Sequence, residues 1–142
     1  MNTVVGILLR AEGDREGAQS MLDDSLRLAR RAGDRFNIAF ACLGLACLAG
    51  DAGEPQRAAE LHGVAQAFVD QLGIPWVRFA RLRQDSIDAI EARLGETNLR
   101  DAYEQGRALT FDAAFDLALG TGGSAAVVPP GRAVPDRTTR SV

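Results

Sequence analysis

The sequence contains a single histidine, His62, inside "AAELHGVAQAFVDQLG" at residues 58 to 73. An imidazole can serve as a general base, a proton shuttle or a metal ligand, and each role needs partners. A zinc site needs three or four His, Cys or carboxylate ligands converging on one point, and there is no second histidine. Glu60 lies two positions earlier, which on a helix turns it away. His62 falls instead on the apolar stripe of its segment, so it is expected to pack there or make a local hydrogen bond.

Other residues of chemical interest also read as structural. Asp23 and Asp24 are adjacent and diverge by about 100° on a helix, so they do not readily share a proton. Asp85 and Asp88 do share a face. A working acid-base pair, however, needs an apolar pocket to drive its two pKa values apart, and Gln84 and Glu91 flank this one. Arg78, Arg81 and Arg83 form a basic stretch near Trp76 and Phe79, of which only Arg78 and Arg81 are helix-surface neighbours. Salt bridges to nearby acids are expected of them. Cys42 and Cys47 point about 140° apart on a helix and match no zinc or redox spacing, so both are expected to be buried as small hydrophobes. Glycines 120, 122 and 123 follow a helical segment, where a phosphate loop would precede one. All 16 basic residues are arginine, which excludes a phosphate-loop or Schiff-base lysine. No catalytic residue, cofactor or metal site is expected.

The elements that carry these residues repeat. In Arg15 to Ala32 the apolar or small positions are Ala18, Met21, Leu22, Ser25, Leu28, Ala29 and Ala32, an amphipathic helical pattern. Forty residues on, the same offsets hold Ala58, Leu61, His62, Ala65, Phe68, Val69 and Leu72, with Gly13 matching Gly53 and Gly33 matching Gly73. Each such helix follows an apolar helix and a glycine-containing turn. A fixed period of about 40 predicts stacked antiparallel helical hairpins, none able to cover its own apolar face alone. Pro55 suits a first helical turn, Gly33 and Gly73 suit left-handed helix ends, and Asp34 and Asp51 suit turns or N-caps. The segment from Arg35 to Ala49 is apolar or small on nearly every side and is expected to be the central helix.

A third hairpin departs from the period. A helix over 76–94 is expected, with Trp76, Ala80, Ile87, Ile90 and Leu94 on one face and Gly95 ending it. A shorter helix near Asn98 to Arg107 follows, then one from Phe111 to Leu119 capped by Thr110 and closing the stack. Residues 121–142 are rich in Gly, Pro, Ser and Thr without period and are expected to be a disordered tail, leaving residues 1–120 as the domain. At the other end, Met1 matches Ala41, so the first helix lacks the counterpart of Phe36 to Phe40. Its apolar residues Val4, Val5, Leu8 and Leu9 are therefore expected to bind a preceding repeat or a second copy.

Composition agrees with a folded domain: 46% hydrophobic, 25% charged and a net charge of −3. Arg132, Arg137 and Arg140 stand in the tail against Asp136, which concentrates the acidic surplus in the body and makes direct nucleic-acid binding an unfavoured role. The longest uncharged run within the body, Phe36 to Gly50, is 15 residues, short of the roughly 20 that a membrane span needs. With no secretory signal pattern at the start, a cytoplasmic location is expected.

The segments "AAELHGVAQAFVDQLGIP" and "LGETNLRDAYEQGRALTFDAAFDLALG" resemble the C-terminal tetratricopeptide-like region of bacterial LuxR-type and related signal-transduction ATPase regulators. The resemblance covers roughly residues 4 to 120. Its most distinctive elements are Leu61, Gly63 and Ala65 in one helix and Gly106-Arg107-Ala108-Leu109-Thr110 leading into an Ala-rich helix. It implies an all-α, right-handed α-solenoid fragment used for interaction or self-association in transcriptional regulation. This chain has no phosphate-binding loop, acidic metal-binding strand or DNA-reading helix pair, so the ATPase and DNA-binding activities do not carry over. The expected function is thus a non-enzymatic scaffold for protein-protein interaction or self-association. Two alternatives stand beside it: a small-molecule-sensing domain with an inter-helix pocket near His62, Arg78 and Arg81, and a DNA-binding regulator in its own right.

Overall fold

Aspartates begin two of the helices and left-handed glycines end several. The Asp14 carboxylate accepts a hydrogen bond from the Gly17 amide at 2.9 Å, and Asp34 accepts one from Asn37 at 3.1 Å, each satisfying an amide that the first helical turn leaves without a partner. At the other ends, Gly33 (φ 69°, ψ 26°) and Gly73 (φ 70°, ψ 24°) turn left-handed, a conformation that costs glycine little. The structure, a computed structural model, describes residues 2–76 and 79–120. Among them the protein is all-α, with seven helices and no strand: α1 (Asn2–Ala11), α2 (Arg15–Ala32), α3 (Arg35–Asp51), α4 (Pro55–Leu72), α5 (Ala80–Leu94), α6 (Glu96–Arg107) and α7 (Phe111–Leu119). No helix of the described residues is long and apolar enough to cross a membrane.

The forty-residue register holds to the residue. The ends of α1 and α3 are forty apart, and α2 and α4 are both 18 residues long and start forty apart. Gly13 and Gly53 both take positive φ, at 90° and 80°. Asp51, expected in a turn or as an N-cap, is instead the last residue of α3, where its carboxylate takes Arg10. The N-cap at that turn is Glu54, which makes no side-chain capping bond, followed by Pro55 in the first helical turn.

Contacts divide the chain into two units, Met1–Leu109 and Thr110–Val142. In the first, α1 packs on α2, α2 on α3 and α3 on α4, and α3 also touches α1 and α5. That centrality explains why every residue from Ile38 to Ala49 is buried. The Leu22 side chain fills the space left by two glycines: a Cβ on Gly6 would stand 2.7 Å from its Cγ, and one on Gly44 would stand 2.8 Å from its Cδ2. The stripe of α2 needs one correction. Ala18, Leu22, Ser25, Leu26 and Ala29 are buried, whereas Leu28 and the terminal Ala32 are exposed and Met21 half-buried. Leu28 lies beside the stripe, on a flank of α2 left uncovered among the described residues, whereas α4, with α3, α5 and α6 around it, buries the equivalent Phe68.

The third pair differs in build. Phe79 adopts a left-handed φ of 62°, so α5 starts at Ala80 and Trp76 stands outside the helix. Helix α6 starts at Glu96, straight after Gly95, and packs chiefly on α4, less on its own partner α5. Glycines make that crossing possible. A Cβ on Gly63 would overlap the Tyr103 carbonyl oxygen and one on Gly106 the Glu60 carbonyl oxygen, so the two helix backbones nearly touch.

In the second unit the described residues are Thr110 to Gly120. The Thr110 hydroxyl accepts from the Ala113 amide at 3.2 Å, and the rings of Phe111 and Phe115 lie 4.8 Å apart along α7. The expected tail, residues 121–142, lies outside the described residues.

Candidate functional site

Two features of the first unit have the makings of a site: the outer face of α1, and a cleft beside α5. On α1, Gly6 and Ile7 face inward and Thr3 bonds Ser25 through their hydroxyls at 2.6 Å, both buried. The opposite side shows Val5 and Leu8, three residues apart and therefore on one face. Val5 is 37% exposed and Leu8 57%. Val4 and Leu9 flank them, half-buried. Forty residues on, Leu45 is 1% and Leu48 is 4% exposed. Beside Leu48 the neighbour is α2. Gly44 meets Leu22 of α2, and Leu48 lines one shallow groove with Arg15 and Gln19 of the same helix. The equivalent face of α1 has no such cover among the described residues.

The cleft, about 510 Å³, is bounded by the end of α1, the end of α3 and α5, and its size suits a small ligand. Buried Cys47 and Ser86 line it together with Arg10 and the exposed Asp51, Asp85 and Arg93. The Arg10 guanidinium donates to both Asp51 oxygens, from Nε at 2.6 Å and Nη2 at 2.9 Å, and the Asp51 hydrogen bond raises its pKa. No group of three or more His, Cys, Asp or Glu among the described residues is placed to hold a metal ion.

His62 stands behind this cleft, fully buried, with Nε2 2.9 Å from Ser86 Oγ and Nδ1 without a partner among the described residues. An orphaned N–H costs more than an orphaned lone pair. We therefore assign the proton to Nε2, which donates to Ser86, leaving the Ser86 hydroxyl free to donate to Cys47, its other partner. Burial, with the nearby Arg83 cation, pushes the imidazole pKa down to about 3. Burial pushes the Cys47 thiol up, against the lowering influence of Arg10 and Ser86, and raises Cys42 to about 12. A nucleophile-base pair needs a thiolate and a basic imidazole. This trio holds a protonated thiol and a weakly basic ring, so its role is to tie α4, α5 and α3 together.

The basic stretch separates in space. Arg81 is exposed and pairs with Asp85 at 3.8 Å, an arrangement worth little in water. Arg78 lies outside the described residues. Arg83 forms no salt bridge among the described residues. It donates to Gln66 Oε1 at 3.1 Å and to the Tyr103 hydroxyl at 3.2 Å, and its guanidinium lies 5.4 Å from the centroid of the Trp76 ring. Asp85 and Asp88 also take separate partners, Asp88 accepting from Gln84. Of the residues expected to matter, Val4, Val5, Leu8 and Leu9 come together on one face, while His62 and Arg81 belong to other surroundings. The cleft-lining Ser86 and the cross-linking Arg83 carried no periodic signal that singled them out. Compared with known proteins, the chain matches no family model, no curated protein and no solved structure.

Proposed function

We propose that this protein is a non-enzymatic, tetratricopeptide-like helical-repeat module, a fragment of a right-handed α-solenoid, that docks another protein on the outer face of α1. One observation carries the reading: Leu8 is exposed where its repeat equivalent Leu48 is buried under a neighbouring helix. An aliphatic helix face left exposed among the described residues, where its counterpart forty positions on is buried, supports an interaction surface. The kinship with LuxR-type regulators rests on the motif residues Leu61, Gly63, Ala65 and Gly106, and two of these, Gly63 and Gly106, form the close crossing of α4 and α6. On this reading the module serves transcriptional regulation by association, not by chemistry. The test is a screen of the host's own proteins with wild type and Leu8→Glu. A partner lost with Leu8→Glu, while the thermal midpoint of the chain is unchanged, supports docking on α1; partners that bind both chains equally contradict it.

A second reading, a small ligand held in the cleft lined by Ser86 and Cys47, is favoured by the size of that cleft and its mixed charged and apolar lining. It predicts small molecules that raise the thermal midpoint of wild type but not of Ser86→Leu, whose side chain would occupy the cleft. Ligands that stabilise both equally would remove it.

A further inference from the structure

Helix α5 is held to the first unit thinly and mostly by polar contacts. Of its 15 residues only Ser86 and Ile90 are buried, whereas α3 buries every residue from Ile38 to Ala49. Its N-terminus has no side-chain cap, and Phe79 there takes a left-handed φ of 62°, an unfavourable conformation for a residue with a Cβ. The ties that remain are Ser86 to His62 of α4 and to Cys47 of α3, and Arg83 to Gln66 of α4 and Tyr103 of α6. Helix α6 does not depend on them. It also buries little, Ala102 and Gly106, but it crosses α4 with the two backbones in near contact at Gly63 and Gly106. The chain on either side of α5 therefore stays anchored when α5 lets go, which is the condition for a segment to open by itself.

What α5 covers is the one residue of the molecule whose charge could respond. The Nε2 edge of His62 faces Ser86, so it meets water once α5 is away. The ionisable groups around the ring are Cys47 from α3, Arg83 from α5 and, beyond Arg83, Tyr103 from α6. Burial raises the Cys47 thiol and the Tyr103 hydroxyl, which stay neutral, so Arg83 is the charge that acts on the ring. Burial and that cation both disfavour a proton on His62, and α5 contributes to both. We propose that α5 is a strap that opens ahead of the rest of the fold, and that acid drives it open by protonating His62 in the opened form. Opening removes the wall that brings Asp85, Ser86 and Arg93 to the cleft and bares Cys47 and His62 on the helices behind it. The proposal is independent of docking on α1.

The sign follows from the two forms of the ring. The closed imidazole protonates only near 3, the opened one near the ordinary value of about 6.5, so the opened form gains the proton first as pH falls. Between pH 7 and pH 5 the opening equilibrium is expected to rise about 25-fold. Native-state hydrogen exchange on the full chain at these two pH values, corrected for intrinsic exchange, reads it helix by helix. At pH 7 the amides of α5 are expected to be at least about tenfold less protected than those of α3, and unresponsive to low denaturant. They should then lose the further 25-fold or so at pH 5. In His62→Leu combined with Ser86→Ala, α5 still opens early but equally at both pH values. His62→Gln, which keeps a donor toward Ser86 without a titrating ring, repeats that comparison should the double change disturb packing. Labelling of Cys47 in a Cys42→Ala chain, by a disulfide reagent active in acid, should keep pace with the α5 amides. Amides of α5 as protected as those of α3 would mean that it opens only with the whole chain, and would overturn the proposal. So would early opening that ignores pH in wild type, or an acid response of equal size in both His62 variants.

Discussion

The helix pairs α1–α2 and α3–α4 share their turn conformations, the lengths of their second helices and a forty-residue register, yet their apolar residues meet different fates. Leu45, Leu48 and Phe68 are buried in the second pair; Val5, Leu8 and Leu28, their equivalents, are exposed in the first. The pattern of the sequence is the same in both, so the difference comes from neighbours. The second pair has α2 on one side and α5 and α6 on the other, whereas among the described residues the first packs chiefly on α3. A helical repeat specifies where a partner belongs, and burial follows only where one is present.

The largest effect that would break this comparison lies at the crossing the first pair lacks. In an exposed helix interior Gly→Ala is worth up to about 1 kcal/mol in stability. At Gly63 and Gly106 the added methyl would overlap a backbone carbonyl, which cannot move aside as a side chain can. Gly63→Ala or Gly106→Ala is expected to cost about 3 kcal/mol, from overpacking, and to detach α6 from α4. Denaturant unfolding measures it, and a neutral or stabilising result would show that the helices are not in near contact.

Next in size is a matched pair. Leu48→Ala removes a side chain that is 4% exposed and is expected to cost about 2 to 4 kcal/mol. Leu8→Ala, at the equivalent position, is expected to stay within about 0.5 kcal/mol. Equal costs would mean that α1 is covered after all.

The third contrast is Leu22 against His62, both fully buried. The unfolded imidazole takes a proton below about 6.5, while burial holds the folded one neutral down to about 3. The unfolded state thus binds the extra proton between these values. His62 leaves stability unchanged above pH 6.5 and lowers it as pH falls from there toward 3, by up to roughly 1.4 kcal/mol per pH unit. Unfolding followed from pH 7 to pH 5 should show this decline in wild type and lose it in His62→Leu combined with Ser86→Ala. That double change removes both hydrogen-bonding partners and is expected to be close to neutral at pH 7. A decline of the same slope in both chains would place its origin elsewhere.

Smallest is the contrast of N-caps. Asp14 caps α2 through its side chain, while Glu54 at the equivalent position makes no such bond. Asp14→Ala is expected to cost about 1 kcal/mol and Glu54→Ala close to nothing, while Glu54→Asp should gain about 0.5 to 1 kcal/mol. Thermal midpoints of the three variants test the assignment, and a loss at Glu54 equal to that at Asp14 would undo it.

The features legible in the sequence were those fixed within one helix or one turn. The 3.6-residue period marks α2 and α4, and glycines at matched offsets mark their ends because few other residues turn left-handed cheaply. Thr110 marks the start of α7 through a hydroxyl that needs an amide three residues on. Features that depend on how helices meet were not legible. Leu28 reads like Phe68 until the missing flank is known. Gly63 and Gly106 look like helix-weakening residues until their backbones are seen to cross. Phe79 gives no warning that it will turn left-handed and start α5 at Ala80, four residues late. The same division holds for the site. The α1 face is one helix and was readable, whereas the cleft joins Arg10, Cys47 and Ser86 from three helices, and no spacing in a chain encodes that convergence.

The central claim is that α1 presents an exposed face where α3 buries its equivalent, and the most direct measurement is the rate at which a thiol reagent labels Leu8→Cys against Leu48→Cys in the folded chain. A buried thiol reacts only when the fold opens, whereas an exposed one reacts without opening. The account predicts fast labelling of Leu8→Cys and slow, unfolding-limited labelling of Leu48→Cys, the native Cys42 and Cys47 being buried in both chains. Equal rates at the two positions would contradict it.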